Sequence, residues 1–171
     1  MKSTANNADA IMPFVLMEQT LSLAIYTTGH DYSAALCGID FLFGQSSMQA
    51  PRTALAENVI QQLQCYLDDP QYSFDLPLQM HGTDFQHRLW SALCDVSSGT
   101  TATYGQLVER LGMKGGAQAV GQACRRNPVP IVVPCHRILS QSGMGGYAGE
   151  TAGEKLRFKQ ALLKHEGLIG V

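Results

Sequence analysis

The sequence predicts an α+β protein in two lobes: a small three-stranded antiparallel sheet with one helix, then a mostly helical lobe. Three observations carry this expectation. Apolar and β-branched runs bounded by turn residues crowd the first 43 positions. Helix-start signals of the form Thr-x-x-Gln/Glu recur three times after residue 80. The charge also divides: residues 1–80 carry two basic side chains against eight acidic (net −6), and residues 81–171 carry ten against six (net +4). A basic second lobe is able to meet a polyanion. At 171 residues the chain can bury a real core in one domain or two small lobes.

In chain order, residues 1–12 open a polar, flexible N-terminus. Residues 13–18 and 21–27 are expected as strands around a tight Gln19-Thr20 turn, with a third strand in 34–43. Over 53–69, Leu55, Val59, Leu63 and Leu67 recur every four residues on one drifting helix face. These elements form an N-terminal lobe over 13–80. The stretch 70–82, with two prolines and a glycine, reads as the link to a C-terminal lobe over 82–171.

In that lobe, Thr83/Gln86 precedes a helix aligning Phe85, Leu89 and Leu93. Thr103/Gln106 precedes a helix over 104–111 stopped by Gly112. A helix over about 116–126 follows, with Ala117, Val120 and Cys124 on its apolar face, and Asn127-Pro128 cuts it off. Ile131-Val132-Val133 reads as a short strand bracketed by Pro130 and Pro134. Thr151/Glu154 precedes the last helix, which Gly167 stops.

No stretch approaches a membrane span, and Ile11–Met17, the nearest thing to a signal peptide, is interrupted by Pro13; a cytoplasmic protein is expected. Five cysteines form no CxxC pair and no Cys/His cluster at zinc spacing, so neither a disulfide scaffold nor a metal site is expected. Cys37, Cys65, Cys94 and Cys124 sit in apolar-periodic stretches and read as buried small hydrophobes. Cys135 differs, standing before His136 and Arg137 after a proline-stiffened segment.

A reactive cysteine needs its thiolate favoured by nearby groups, and His136 and Arg137 are candidates. On an extended chain, neighbouring side chains point to opposite sides, so a Cys–His relay through water or a bend is expected over direct contact. The glycine-rich stretch 140–150, with Tyr147, suits a substrate-covering loop or a plain flexible turn. Glu166, at the unfavourable end of the last helix dipole, calls for a tertiary partner such as a histidine. The helices over 104–126 have the size of a helix-turn-helix. Gln118, Gln122, Arg125 and Arg126 flank the small residues Ala119 and Gly121, although a solvated helical hairpin gives the same pattern.

Taken together, Pro-Cys-His-Arg followed by Ile-Leu, the Asn-Pro-Val-Pro-Ile lead-in, "TYGQL", "AVG", "GYAG" and "LLKHEG" resemble the O6-alkylguanine-DNA alkyltransferases, the methylated-DNA–protein-cysteine methyltransferase family. The resemblance covers roughly residues 82–168, and the first 80 residues match in layout only, a ribonuclease-H-like sheet-and-helix lobe. It implies DNA repair by direct reversal: a monomer flips O6-alkylguanine (O4-alkylthymine being the second lesion to consider) out of double-stranded DNA and takes the alkyl group onto its own cysteine. No cofactor is implied, and a cytoplasmic protein would join the nucleoid when bound to DNA.

By position, the resemblance implies that Cys135 accepts the alkyl group, and that His136 and Glu166 deprotonate it through a bound water. Tyr104 protonates the leaving guanine, and Asn127 organises the hydrogen bonds of the turn. Tyr147 and Ala148 wall the base pocket with Pro130 and Val133 beside it, and Lys159 matches a family lysine there. Gln118, Ala119, Gly121, Gln122, Arg125 and Arg126 face DNA, the two arginines meeting phosphate. The family pattern Ala-Arg-Ala-Val-Gly reads Ala-Gln-Ala-Val-Gly here. With an uncharged, shorter side chain at Gln118, weaker DNA affinity or less efficient flipping is expected, not loss of chemistry.

The chemistry is self-consistent. Reaching O6 in line requires the base outside the stack. Displacement by a thiolate leaves a thioether that water does not hydrolyse, so each molecule reacts once. Three rivals stand beside this: a Cys–His hydrolase, a helix-turn-helix regulator with no use for Cys135, and a lesion-sensing relative lacking the acceptor.

Overall fold

A computed structural model describes residues 7–29, 33–44 and 47–168. It falls into two compact units, Met1–His81 and Gly82–Val171. Residues 1–6 of the expected flexible N-terminus and residues 169–171 lie outside the described residues.

The first unit is an antiparallel sheet of β1 (Ala10–Leu16), β2 (Gln19–Thr28) and β3 (Ala35–Leu42), ordered β1-β2-β3, with helix α1 (Ala54–Asp68) packed on it. The hairpin departs from expectation. Leu16 pairs with Gln19, so Met17 and Glu18 form the turn and Gln19-Thr20 belong to the strand. Met17 takes the left-handed conformation (φ 53°) that such two-residue turns demand. β1 starts at Ala10, ahead of the expected residue 13. Ala8 is fully buried, and Asp9 accepts from the Thr27 amide and hydroxyl at 2.7 and 2.9 Å. Asp9 fixes this stretch by satisfying the backbone at the end of β2.

Helix α1 buries Ala56, Val59, Leu63 and Tyr66, with Leu55 and Leu67 half-buried; the inward face follows the 3.6-residue period, not a spacing of four. The expected link is tied down over part of its length. Leu78 bridges Leu36 at the edge of β3, and the Gln62 amide group clamps the backbone of Asp75.

In the second unit, α2 (Asp84–Cys94) and α3 (Tyr104–Arg110) each begin with a full capping box, from Thr83/Gln86 and Thr103/Gln106. α4 (Ala117–Arg125) packs against both and buries Val120, Ala123 and Cys124, while Ala117 is exposed. Trp90 of α2 donates its indole N–H to the carbonyl of Ala123 at 3.1 Å. A two-residue parallel pair, β4 (Ala102–Thr103) with β5 (Ile138–Leu139), sets the start of α3 beside the segment that follows Cys135.

Ile131–Val133 is a turn, not a strand: Val133 N–H donates to Val129 C=O at 2.9 Å, and Ile131 sits at φ +76°. The closing proline at 134 leads into a 3-10 turn over Cys135–Arg137. Thr151 does not cap α5 (Glu154–His165); Gly153, at φ 97°, is its N-cap. With Glu154 as the first helical residue, Thr151 lies too far upstream, and the Glu150 carboxylate accepts from Lys155 N–H at 3.4 Å. Cys65 and Cys94 are also exposed, against expectation, because the buried stripes of α1 and α2 run through neighbouring positions.

Among the described residues, no helix is long and apolar enough to cross a membrane.

Candidate active site

A cavity of about 210 Å³ opens within the second unit. Cys135 lies in its wall, with Tyr104 from α3, Gly121, Gln122, Cys124 and Arg125 from α4, and the loop Gly146–Thr151 around the rest. The β4–β5 pair explains how α3 and the Cys135 turn come to share one wall.

The turn before Cys135 is stapled by Asn127. Its carbonyl oxygen accepts from Val129 N–H at 3.0 Å, and its Nδ2 donates to Val133 C=O at 2.7 Å and to Cys135 Sγ at 3.2 Å. A β-branched residue avoids positive φ at a cost of about 1–3 kcal/mol, so Ile131 needs this clamp. Burial pushes the Cys135 thiol up, while the Asn127 hydrogen bond and the Lys159 charge oppose that rise. The resting group is therefore a thiol that requires a proton acceptor.

His136 is fully buried, and its Nε2 meets Glu166 Oε1 at 2.9 Å. A carboxylate only accepts, so the proton resides on Nε2 and Nδ1 keeps its lone pair. Nδ1 has no hydrogen-bond partner among the described residues. Burial lowers the His136 pKa despite the carboxylate, so the imidazole is neutral at pH 7. Burial works to raise the Glu166 pKa, but hydrogen bonds and charges from His136 and Arg137 outweigh it and carry the value to about 2. With His136 neutral, the guanidinium of Arg137 is what keeps Glu166 ionised. It binds both carboxylate oxygens, at 2.8 to 3.2 Å, and donates to Val96 C=O at 2.6 Å. One arginine thus joins the Cys-His-Arg turn to the ends of α2 and α5.

Tyr104 sits between two glycines: a Cβ at Gly121 would lie 3.8 Å from its ring, and one at Gly145 3.3 Å. Burial and the charges of Cys124 and Cys135 raise its pKa to about 12, so it holds its proton at neutral pH. Lys159 is buried, and its Nζ donates to the carbonyls of Ile138 (2.6 Å), Met144 (2.7 Å) and Gly146 (3.2 Å). Burial lowers its pKa to about 8, against the pull of Cys135 and Cys124.

Not every expected site residue lines the cavity. Pro130, Val133 and Lys159 are buried but do not line the cavity; Lys159 instead holds the loop that does. Tyr147 and Ala148 line it, as do Gly121, Gln122 and Arg125. Gln118, Ala119 and Arg126 are exposed on or beside α4, away from the cavity. Arg125 packs over the loop: a Cβ on Gly149, itself at φ +90°, would stand 2.7 Å from its Nε and push the arginine side chain aside. Sequence reasoning missed Cys124, Glu150 and Thr151 in the lining, and it read Arg137 as a neighbour of the thiol where the structure makes it the partner of Glu166.

A family model described as the DNA-binding domain of 6-O-methylguanine DNA methyltransferase matches residues 84–168. The methylated-DNA–protein-cysteine methyltransferase of Mycobacterium bovis is 38% identical over 117 residues, covering 68% of each chain. That of Methanosarcina barkeri is 37% identical over 134 residues, covering 75% of this chain and 82% of its own. The crystal structure of Mycobacterium tuberculosis OGT in complex with DNA superposes with a TM-score of 0.67 at 31% identity over 90% of both chains.

Proposed function

The chain belongs to the methylated-DNA–protein-cysteine methyltransferase family, and we propose that Cys135 is its alkyl acceptor. It repairs DNA by direct damage reversal, moving an alkyl group from O6 of guanine in double-stranded DNA to its own cysteine in a single-turnover reaction. The observation that carries the assignment is the cysteine in the cavity wall, hydrogen-bonded by Asn127 and adjoining the His136–Glu166 pair.

In this reading the Cys135 proton passes through water to Nδ1 of His136, and Glu166 stabilises the imidazolium that forms. The thiolate attacks the alkyl carbon, the C–O6 bond breaks, and electrons withdraw into the purine. Tyr104, whose raised pKa keeps its proton until a strong base appears, donates it to the leaving guanine. The S–C bond of the product is a thioether, so no hydrolysis regenerates the thiol. Asn127 and Lys159 are positioning residues, one for the sulfur and one for the loop carrying Tyr147 and Ala148.

For the DNA itself, the reading takes residues 104–126 as a helix-turn-helix within an alkyltransferase lobe over 82–171, preceded by an N-terminal lobe over 13–80. Gln118, Ala119, Gly121 and Gln122 face the duplex, and Arg126 meets phosphate. The protein works as a monomer in the cytoplasm, at the nucleoid when bound. Mixing it with an excess of an oligonucleotide bearing O6-methylguanine should release one repaired strand per protein molecule and then stop. Continued turnover would overturn the reading.

A further inference from the structure

The cavity holds a second thiol that alkyl transfer does not use. Cys124, near the end of α4, lines it together with Cys135, and both are free. Asn127 adjoins the two at once: its backbone N–H donates to Cys124 C=O at 3.1 Å while its side chain donates to Cys135 Sγ at 3.2 Å. Of the other cysteines, Cys37 and Cys65 belong to the first unit, and Cys94 is exposed at the end of α2.

We propose that Cys124 and Cys135 form a reversible disulfide when the protein meets a peroxide, making the acceptor cavity a redox-modification site. Cys135 is the attacking thiol, because the Asn127 amide donates to its sulfur at 3.2 Å and stabilises the thiolate against the burial that raises its pKa. Its sulfur takes one peroxide oxygen to become a sulfenic acid, and the other oxygen leaves as water. The Cys124 sulfur then displaces the hydroxyl from Cys135 as a second water. In sum, two thiols lose two electrons and two protons, and one peroxide becomes two waters.

Electrostatics set the order of these steps. Burial and the Cys135 charge both raise the Cys124 pKa; once Cys135 is an uncharged sulfenic acid, the second of these disappears. The resolving thiol therefore ionises more readily after the first step than before it. The disulfide withholds the acceptor, shields Cys135 from irreversible sulfinic oxidation, and returns it on reduction by a dithiol.

The test treats the native protein with hydrogen peroxide, blocks remaining thiols, and maps the unreduced digest by mass spectrometry. The expected result is a linked pair of the peptides holding Cys124 and Cys135, with Cys37, Cys65 and Cys94 blocked. Acceptor activity, scaled to each protein's own untreated sample, should return with dithiothreitol. In Cys124→Ser the recovered fraction should fall about fivefold or more as Cys135 passes to sulfinic acid. No linked pair, or equal over-oxidation of Cys135 in both proteins, would overturn the proposal. The peptide map alone decides if the variant fails to fold. It is also independent of alkyl transfer, so failure here is distinguishable from failure of the proposed function.

Discussion

Asn127 and Cys135 are joined by a 3.2 Å hydrogen bond from Nδ2 to Sγ, and the same amide group closes the strained turn between them. A donor aimed at the sulfur favours the thiolate. Asn127→Ala should therefore raise the pH midpoint for reaction of Cys135 with iodoacetamide. It should slow alkyl transfer by about 10- to 100-fold, the loss of one hydrogen bond to a charged acceptor. An unchanged midpoint would assign Asn127 to the turn alone.

Arg137 and Glu166 make a buried ion pair beneath the turn. Removing one partner of such a pair costs about 3–5 kcal/mol by leaving the other charge uncompensated, so Arg137→Met should lower stability by that order in urea unfolding. The pH dependence has a definite sign. Folding depresses the Glu166 pKa from 4.5 to about 2, so its stabilisation is complete above pH 4.5 and is lost as pH falls from there through about 2. Glu166→Gln should flatten the stability curve over that window.

Tyr104 keeps its proton, with a pKa of about 12. Tyr104→Phe should slow transfer about 100-fold or more while leaving affinity for O6-methylguanine DNA nearly unchanged. Gly145→Ala should also slow transfer: its Cβ would crowd the Tyr104 ring at 3.3 Å, and φ +68° disfavours any side chain.

Gln118 is exposed near the start of α4. Gln118→Arg should tighten DNA binding and steepen its salt dependence by about one unit in the log–log slope, measured by fluorescence anisotropy. Unchanged affinity with an unchanged repair rate would remove Gln118 from the DNA interface.

Local signals carried much of the fold into the sequence. The capping boxes at Thr83 and Thr103 depend on residues three apart, and both formed. Apolar and β-branched runs placed the three strands, yet the β1–β2 turn slid by two residues, because register is settled by the cross-strand pairing of Leu16 with Gln19. The β-branched residues at 131–133 promised a strand, but Asn127 and two flanking prolines impose a turn there. At the site, Glu166 was legible as an acid at the wrong end of a helix. Arg137 as its partner, Cys124 in the cavity and Lys159 beneath the loop were not, since each depends on contacts between segments distant in sequence.

Everything above turns on Cys135 taking the alkyl group from DNA. Incubation with an oligonucleotide carrying O6-methylguanine, followed by peptide mass spectrometry, decides whether it does. One methyl group per molecule is expected, on Cys135 and absent in Cys135→Ser. A methyl on another cysteine, or repair that persists in Cys135→Ser, would contradict it.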